Sequence, residues 1–243
     1  MMKRKFLFLI LLCFINLAHA SDWGYGKENG PNSWASLNPK YAPCKLNELQ
    51  SPIDISTQHT TPTINQLTIL YKNNAKDIIN NGHSVQVNFN DAGGITFEDT
   101  HYSLVQLHFH TPSETKINHK SFPMEMHLLH KDKQNHLLVL SVLFKEKKEN
   151  LALKNIVQNI PNNINEPKAL TELNVADLLP KKQGYYAFSG SLTTPPCTDN
   201  VQWIVLKTPL EASKKQIMSL HKAFGNNARD TQPLHERVIK EAP

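Results

Sequence analysis

From residue 67 onward, apolar and polar side chains alternate in short runs instead of returning every third or fourth position. Residues 67–71 (LTILY), 84–89 (SVQVNF), 94–97 (GITF) and 101–104 (HYSL) carry β-branched or aromatic side chains and are divided by Asn, Gly and Asp turns, which predicts half-buried strands. Residues 136–144 (HLLVLSVLF) and 201–206 (VQWIVL) are almost continuously apolar, as expected of strands covered on both faces. Earlier, QSPIDI at 50–55 reads as a turn running into a short strand. The Gly- and Asn-rich WGYGKENGP at 23–31 suits an irregular segment lying over a rim. Helical spacing is confined to 149–160, 167–179 and 211–224, the last stopped by Gly225 at its C′ position. The pattern predicts a mainly β (α+β) single domain: a large, mostly antiparallel sheet with short peripheral helices.

The candidate chemistry lies in residues 106–130, QLHFHTPSETKINHKSFPMEMHLLH. Successive side chains of an extended strand point to opposite faces, so His108 and His110 share one face while Leu107 and Phe109 enter a core on the other. Residues 124–129 read as a second strand, with His127 on the face of Glu125 and Leu129. If the two strands pair, three neutral imidazoles meet. Three nitrogen ligands leave the fourth tetrahedral position of Zn²⁺ open to water, the arrangement of a catalytic rather than a structural zinc site. The chain has 12 histidines, so a lone H-x-H can arise by chance and carries little alone. Gln106 and Glu125 add to it. Each stands two positions before a candidate ligand on the same face, where it can accept the remaining ring N–H and fix the tautomer.

Residues 1–20 read as a leader. Lys3, Arg4 and Lys5 precede an apolar run at 6–17, and Ala18-His19-Ala20 matches an A-x-A cleavage pattern before Ser21. The run is short for a bilayer span, and Cys13 within it lacks the preceding small residues of a lipoprotein site. The mature chain is therefore expected to be exported, periplasmic or secreted, with no membrane anchor and one domain at 21–243. Three of the 26 basic residues and none of the 21 acidic ones fall in the leader. Its removal takes the formal net charge from +5 to about +2, too mild to argue for nucleic acid or membrane as partner. Cys44 and Cys197 remain, an even pair in an oxidising compartment, which predicts a disulfide; two buried free thiols are the alternative.

The segments WGYGKENGP, QSPIDI, NNGHSVQV, QLHFHTPSE, MEMHLLH, GSLTTPPC, VQWIVLK and QPL span essentially the whole mature length. In them the chain resembles an α-class carbonic anhydrase of bacterial, exported type. The resemblance implies a central twisted sheet of about ten strands with a conical cavity and zinc at its base. It also implies reversible hydration of carbon dioxide to bicarbonate and a proton through zinc-bound hydroxide. On that basis His108, His110 and His127 are the zinc ligands, and Gln106, Glu125 and the backbone carbonyl of Asn227 support them. Thr193 accepts a hydrogen bond from the hydroxide and donates to Glu114, and Thr194 contacts bicarbonate or inhibitory anions. His83 is the proton shuttle, with Tyr25, Asn81 and Gln86 holding the water chain. Val139, Leu192, Val201 and Trp203, with Leu129 alongside, form the apolar wall for carbon dioxide. Without the resemblance, His83 reads as a surface turn histidine and those five residues as core.

Three positions depart from the family pattern. Glu28 stands where a histidine is common, altering charge at the rim. Thr115 follows Glu114 where a histidine is usual, which predicts the loss of a hydrogen bond bracing that strand and a modest stability effect. Asp230 stands where proline usually follows Arg229. The partners implied are carbon dioxide and bicarbonate, sulfonamide and anion inhibitors, and a second copy of the chain if it is a homodimer. A different class of reading is a catalytically silent relative serving as a zinc-binding module. The presence of all three histidines with Thr193, Glu114 and His83 weighs against it.

Overall fold

The period-two runs become strands of one sheet. The computed structural model describes residues 23–243, so the expected leader and its cleavage site lie outside the described residues. Ten strands follow one another by hydrogen bonding: Lys168–Ala169, Ala75–Asn80, Val85–Phe89, Thr100–His110, Met124–Lys131, Leu137–Glu146, Val201–Leu206, Tyr185–Gly190, Ile239–Ala242 and Thr60–Pro62. Three more attach at the side, making a sheet of 13 strands, and Asp54–Ile55 pairs separately with Lys116–Ile117. Most pairings are antiparallel. Leu137–Glu146 runs parallel to Val201–Leu206, and Ile239–Ala242 parallel to Thr60–Pro62.

Register decides what each face carries. His108 lies opposite His127, which lies opposite Ser141 on the next strand. Gln106, Leu129, Val139 and Trp203 form the adjacent row, and His110, Glu125 and Leu143 a third. These rows share one face because they are separated by the two-residue period. Leu107, Phe109, Met126, Leu128, Leu140 and Val142 point the other way, into the larger core. The helices Leu151–Gln158 and Lys214–Phe224 bury Leu153, Ile156, Ile217 and Leu220 in that same core.

The runs expected separately at 101–104 and 106–110 are one strand, Thr100–His110, with a register shift between Leu104 and Gln106. Leu104 and Leu107 are three residues apart and would face opposite ways in a regular strand. The bulge restores the phase, and both sit in the larger core.

Two helical expectations change. Residues 167–179 do not form an α-helix: Lys168–Ala169 pairs with the Ala75–Asn80 strand, and Val175–Leu178 is a 3₁₀ turn. The Asn174 side chain accepts the Ala176 amide and starts that turn locally, an alternative that Asn offers against a continuous helix. Leu170, Leu173, Val175 and Leu178 still reach the core. The last helix begins at Lys214 because Ser213 and Gln216 form a capping box. Glu211 and Ala212, expected at its start, extend the sheet instead, in the strand Leu210–Ala212.

The larger core also buries a histidine. His130 is fully shielded, with Nδ1 at 3.3 Å from the Leu138 carbonyl and Nε2 at 2.8 Å from the Tyr71 hydroxyl. A carbonyl only accepts, so Nδ1 carries the proton, and Tyr71 donates to the bare Nε2. Burial holds the ring neutral, its pKa pushed down to about 3. Between an ordinary imidazole pKa of about 6.5 and about 3, the unfolded chain binds a proton here that the folded chain does not. This contribution therefore makes stability fall as pH falls through that window. His130→Gln should reduce the slope of unfolding free energy against pH by up to about 1.4 kcal/mol per unit there. Urea titrations of both metal-free proteins from neutral to acid pH would show it; parallel slopes would remove His130 from the acid sensitivity.

Candidate metal centre

Each ring of the histidine triad is held from behind. Gln106 Oε1 lies 2.8 Å from His108 Nδ1, the Asn227 carbonyl 2.9 Å from His110 Nδ1, and Glu125 Oε1 2.8 Å from His127 Nε2. All three partners accept, so the ring nitrogens facing them are the protonated ones. The opposite nitrogens carry lone pairs, and one ligand atom from each residue lies within 4.8 Å of the others. Among the described residues His110 Nε2 is buried with no hydrogen-bond partner, as is Glu114 Oε2, which stands 3.5 Å from it and 3.9 Å from His127 Nδ1.

Bare lone pairs and a carboxylate oxygen meeting in a water-poor pocket repel one another, and a cation removes the conflict. Burial, reinforced by the neighbouring histidines, pushes the His108 pKa well down; burial also lowers that of His110, against the pull of the Asn227 carbonyl. Both therefore remain neutral, as metal ligation requires. Burial drives Glu114 up to about 7, although His127, the Arg229 amide and the Thr193 hydroxyl oppose it. The donor set fits zinc: three imidazoles that converge on one point, with an acceptor behind every ring.

The wall residues assemble beside the triad. Val139, Val201 and Trp203 are buried in one apolar cluster, against which Leu129 and Leu192 pack. Trp203 and His127 pack edge to face, with ring centroids 5.0 Å apart. Thr193 is buried and Thr194 half-buried, in a loop closed by Leu192 N–H to Thr198 O and Cys197 N–H to Thr194 O, each 2.8 Å. The Cys44–Cys197 disulfide ties this loop to the N-terminal segment, with Cα atoms 4.9 Å apart. Ser51 and Ser191 bond reciprocally through their hydroxyls and amides.

His83 follows a turn in which Asn81 Oδ1 accepts the His83 and Ser84 amides. Its ring stacks on Trp23, with centroids 3.8 Å apart and planes 11° from parallel. Gln86 is opposite His108 across the strand pair and donates to Asn88. Tyr25 packs edge-on against Trp23 and Trp34, and burial, with the Glu114 charge, pushes its pKa well up, so it stays a hydroxyl.

Several contacts had no part in the sequence reading. The Asn227 side chain accepts the Thr111 amide and donates to the His83 and Phe109 carbonyls, joining the triad to the shuttle candidate. Arg229 donates its backbone amide to Glu114 and its guanidinium to Gln50, Ser51 O and Cys44 O. Thr115 overturns the expectation attached to it. Its hydroxyl donates to Glu125 Oε1 at 2.8 Å, so a bracing hydrogen bond is present where a loss was expected. A hydroxyl close to the carboxylate reaches it without a ring. Ser141 joins it on the same oxygen at 2.6 Å, and the one polar residue inside an apolar run was the available signal. Glu28 and Asp230 are exposed, away from these contacts.

Fold and site together define a β-sheet protein whose three-histidine cluster fits a zinc ion in a site of the open, three-nitrogen type. Residues 29–243 match the family model of eukaryotic-type carbonic anhydrase. A carbonic anhydrase of Neisseria gonorrhoeae is 38% identical, covering 96% of this chain and 94% of its own. One from Pectobacterium atrosepticum is 36% identical, over 98% and 99%. The α-carbonic anhydrase of Thermovibrio ammonificans, solved with the inhibitor sulfanilamide, superposes with a TM-score of 0.88 at 38% identity, over 90% of this chain and 98% of that one. The chain belongs to the α-carbonic anhydrase family, whose enzymes are carbonate dehydratases.

The disulfide closes a loop of 153 residues in sequence. Cys44→Ser with Cys197→Ser should lower unfolding free energy by about 2–5 kcal/mol. Denaturant midpoints at matched slopes would measure this; an unchanged midpoint would mean that the surrounding hydrogen bonds hold the loop without the covalent tie.

Proposed function

We propose that the protein catalyses the reversible hydration of carbon dioxide to bicarbonate and a proton, with Zn²⁺ held by His108, His110 and His127. The observation that carries this is the inward convergence of three imidazole lone pairs, each fixed by an acceptor behind its ring. Bound zinc supplies the acidity that makes hydroxide available near pH 7, lowering the pKa of water to about 7, a magnitude for which carbonic anhydrases are the reference case.

The chain's residues orient the partners. A hydroxyl has a single proton, and Glu114 draws that of Thr193. Toward the reacting oxygen Thr193 can then only accept, which aims the oxygen lone pair at the carbon of the substrate. Val139, Leu192, Val201, Trp203 and Leu129 give carbon dioxide an apolar surface with no competing hydrogen bonds. Thr194 offers the product anion a hydroxyl. His83 accepts the released proton and passes it to bulk buffer, imidazole being the side chain that most readily both takes up and gives back a proton near neutrality. Tyr25, Asn81 and Gln86 hold the intervening water. Aromatic sulfonamides and small anions inhibit by taking the position of the reacting oxygen. Residues 21–243 form the mature protein, acting in the periplasm or released; among the described residues no helix is long and apolar enough to cross a membrane.

Stopped-flow hydration of carbon dioxide by the zinc-loaded protein should be rapid, abolished by a chelator and restored by Zn²⁺. Hydration indifferent to chelator, or absent, would leave a zinc-binding module of the same fold. His83→Ala should lower turnover in dilute buffer by roughly ten-fold or more, on the scale of proton-transfer catalysis, and added imidazole should restore part of it. An unchanged rate would remove His83 from the proton path.

A further inference from the structure

The carboxylate behind His127 is itself clamped. Glu125 is fully buried and accepts five hydrogen bonds. Oε2 takes the backbone amides of Glu114 and Thr115, each at 2.8 Å. Oε1 takes His127 Nε2–H at 2.8 Å, the Ser141 hydroxyl at 2.6 Å and the Thr115 hydroxyl at 2.8 Å. Thr115 therefore holds both carboxylate oxygens from one residue, with its amide on one and its hydroxyl on the other. Ser141 approaches from the far side, because register places it opposite His127 on the neighbouring strand. Thr115 and Ser141 are both buried, so their hydroxyls have no water to turn to.

We propose that Thr115 and Ser141 are positioning residues for the third metal ligand. A glutamate side chain turns about three torsions, and the amides on Oε2 fix only one end of its carboxylate. The two hydroxyls fix the other end, locking the plane in which Oε1 faces the His127 N–H. The ring is thereby held with Nδ1 directed at the metal position. At Thr115 the sequence departs from the histidine of the family pattern, so this chain supplies the brace with two small hydroxyl residues. The inference rests on reading the triad as a zinc site.

The test uses Thr115→Val, which keeps the shape and removes the donor, with Thr115→Ser and Ser141→Ala alongside. Zinc affinity is read by competition with a chelator, zinc release by its rate into excess chelator, and ligand geometry by the visible spectrum of the Co²⁺ form. Thr115→Val should bind zinc about ten-fold more weakly, chiefly through faster release, and the double variant with Ser141→Ala up to about 100-fold more weakly. The Co²⁺ bands should shift in step, and Thr115→Ser should restore wild-type affinity. A variant that loses stability in the metal-free state yet releases zinc at the wild-type rate would overturn the proposal, leaving the hydroxyls as a brace of the fold alone. If Thr115→Val does not fold, Ser141→Ala decides by the same readings. Failure of the wild-type chain to hold zinc would be seen before any variant is compared, and would overturn the metal reading and this inference together. Wild-type binding with unchanged variants overturns this inference only.

Discussion

Three imidazoles can share one cation only if each is neutral and turns its proton outward. That condition governs more of the molecule than the triad. It requires an acceptor behind every ring, and the chain takes the three from different sources: a side-chain amide, a carboxylate and a backbone carbonyl. Gln106 and Glu125 come from the same strands as His108 and His127, at the two-residue period. The third acceptor, Asn227, is 117 positions from His110 in sequence, so one ring of the triad depends on closure of the C-terminal segment over the sheet. Its side chain, bonded to Thr111, His83 and Phe109, secures that closure independently of the carbonyl that faces the ring.

The sheet makes such convergence reproducible. Rows of side chains on one face are set by register, and register is set by the need to bury the opposite face. Leu107, Phe109, Met126 and Leu128 commit their strands to the larger core, so His108, His110, Glu125 and His127 have only one face left. The same parity brings Leu129, Val139 and Trp203 beside the histidine triad. A slip of one residue would exchange the faces. It would place imidazoles in the apolar core and exclude four large apolar residues from it, a cost that no single hydrogen bond offsets. The bulge between Leu104 and Gln106 permits one long strand to serve this arrangement along its full length.

What was legible in the sequence follows from the same physics. Strands with strict alternation and the triad with its in-strand acceptors could be read because both obey a short local period. The family resemblance added Asn227, Glu114 and Thr193, which no local pattern connects. Residues 167–179 misled because apolar spacing compatible with a helix is also compatible with an extended chain that Asn174 interrupts. Thr115 misled for a different reason. Substituting a hydroxyl for a ring looked like a lost contact, yet whether a donor reaches its acceptor depends on backbone placement and on partners such as Ser141, which lies 26 positions away and becomes adjacent only through pairing. The stacking of Trp23 on His83 belongs with it, since the two rings come from segments that sequence does not link.

The two buried carboxylates show how finely the surroundings assign roles to one functional group. Glu114 and Glu125 are equally shielded from water, and burial raises the pKa of both. In Glu125 that effect is outweighed by His127 and by hydrogen bonds including those of Ser141 and Thr115, and its pKa is held down to about 2. Glu114 takes the Arg229 amide on Oε1 and the Thr193 hydroxyl, while Oε2 has no hydrogen-bond partner among the described residues. These donors do not offset burial, so it stands at about 7. Glu125 is thus held as a carboxylate by its own surroundings and accepts the His127 N–H. Glu114 needs a positive charge nearby to be fully ionised, and its bare oxygen faces the point where the histidine lone pairs meet. A dication there would restore its charge, so that its capacity to draw the Thr193 proton would arise together with the metal on which that proton's placement bears.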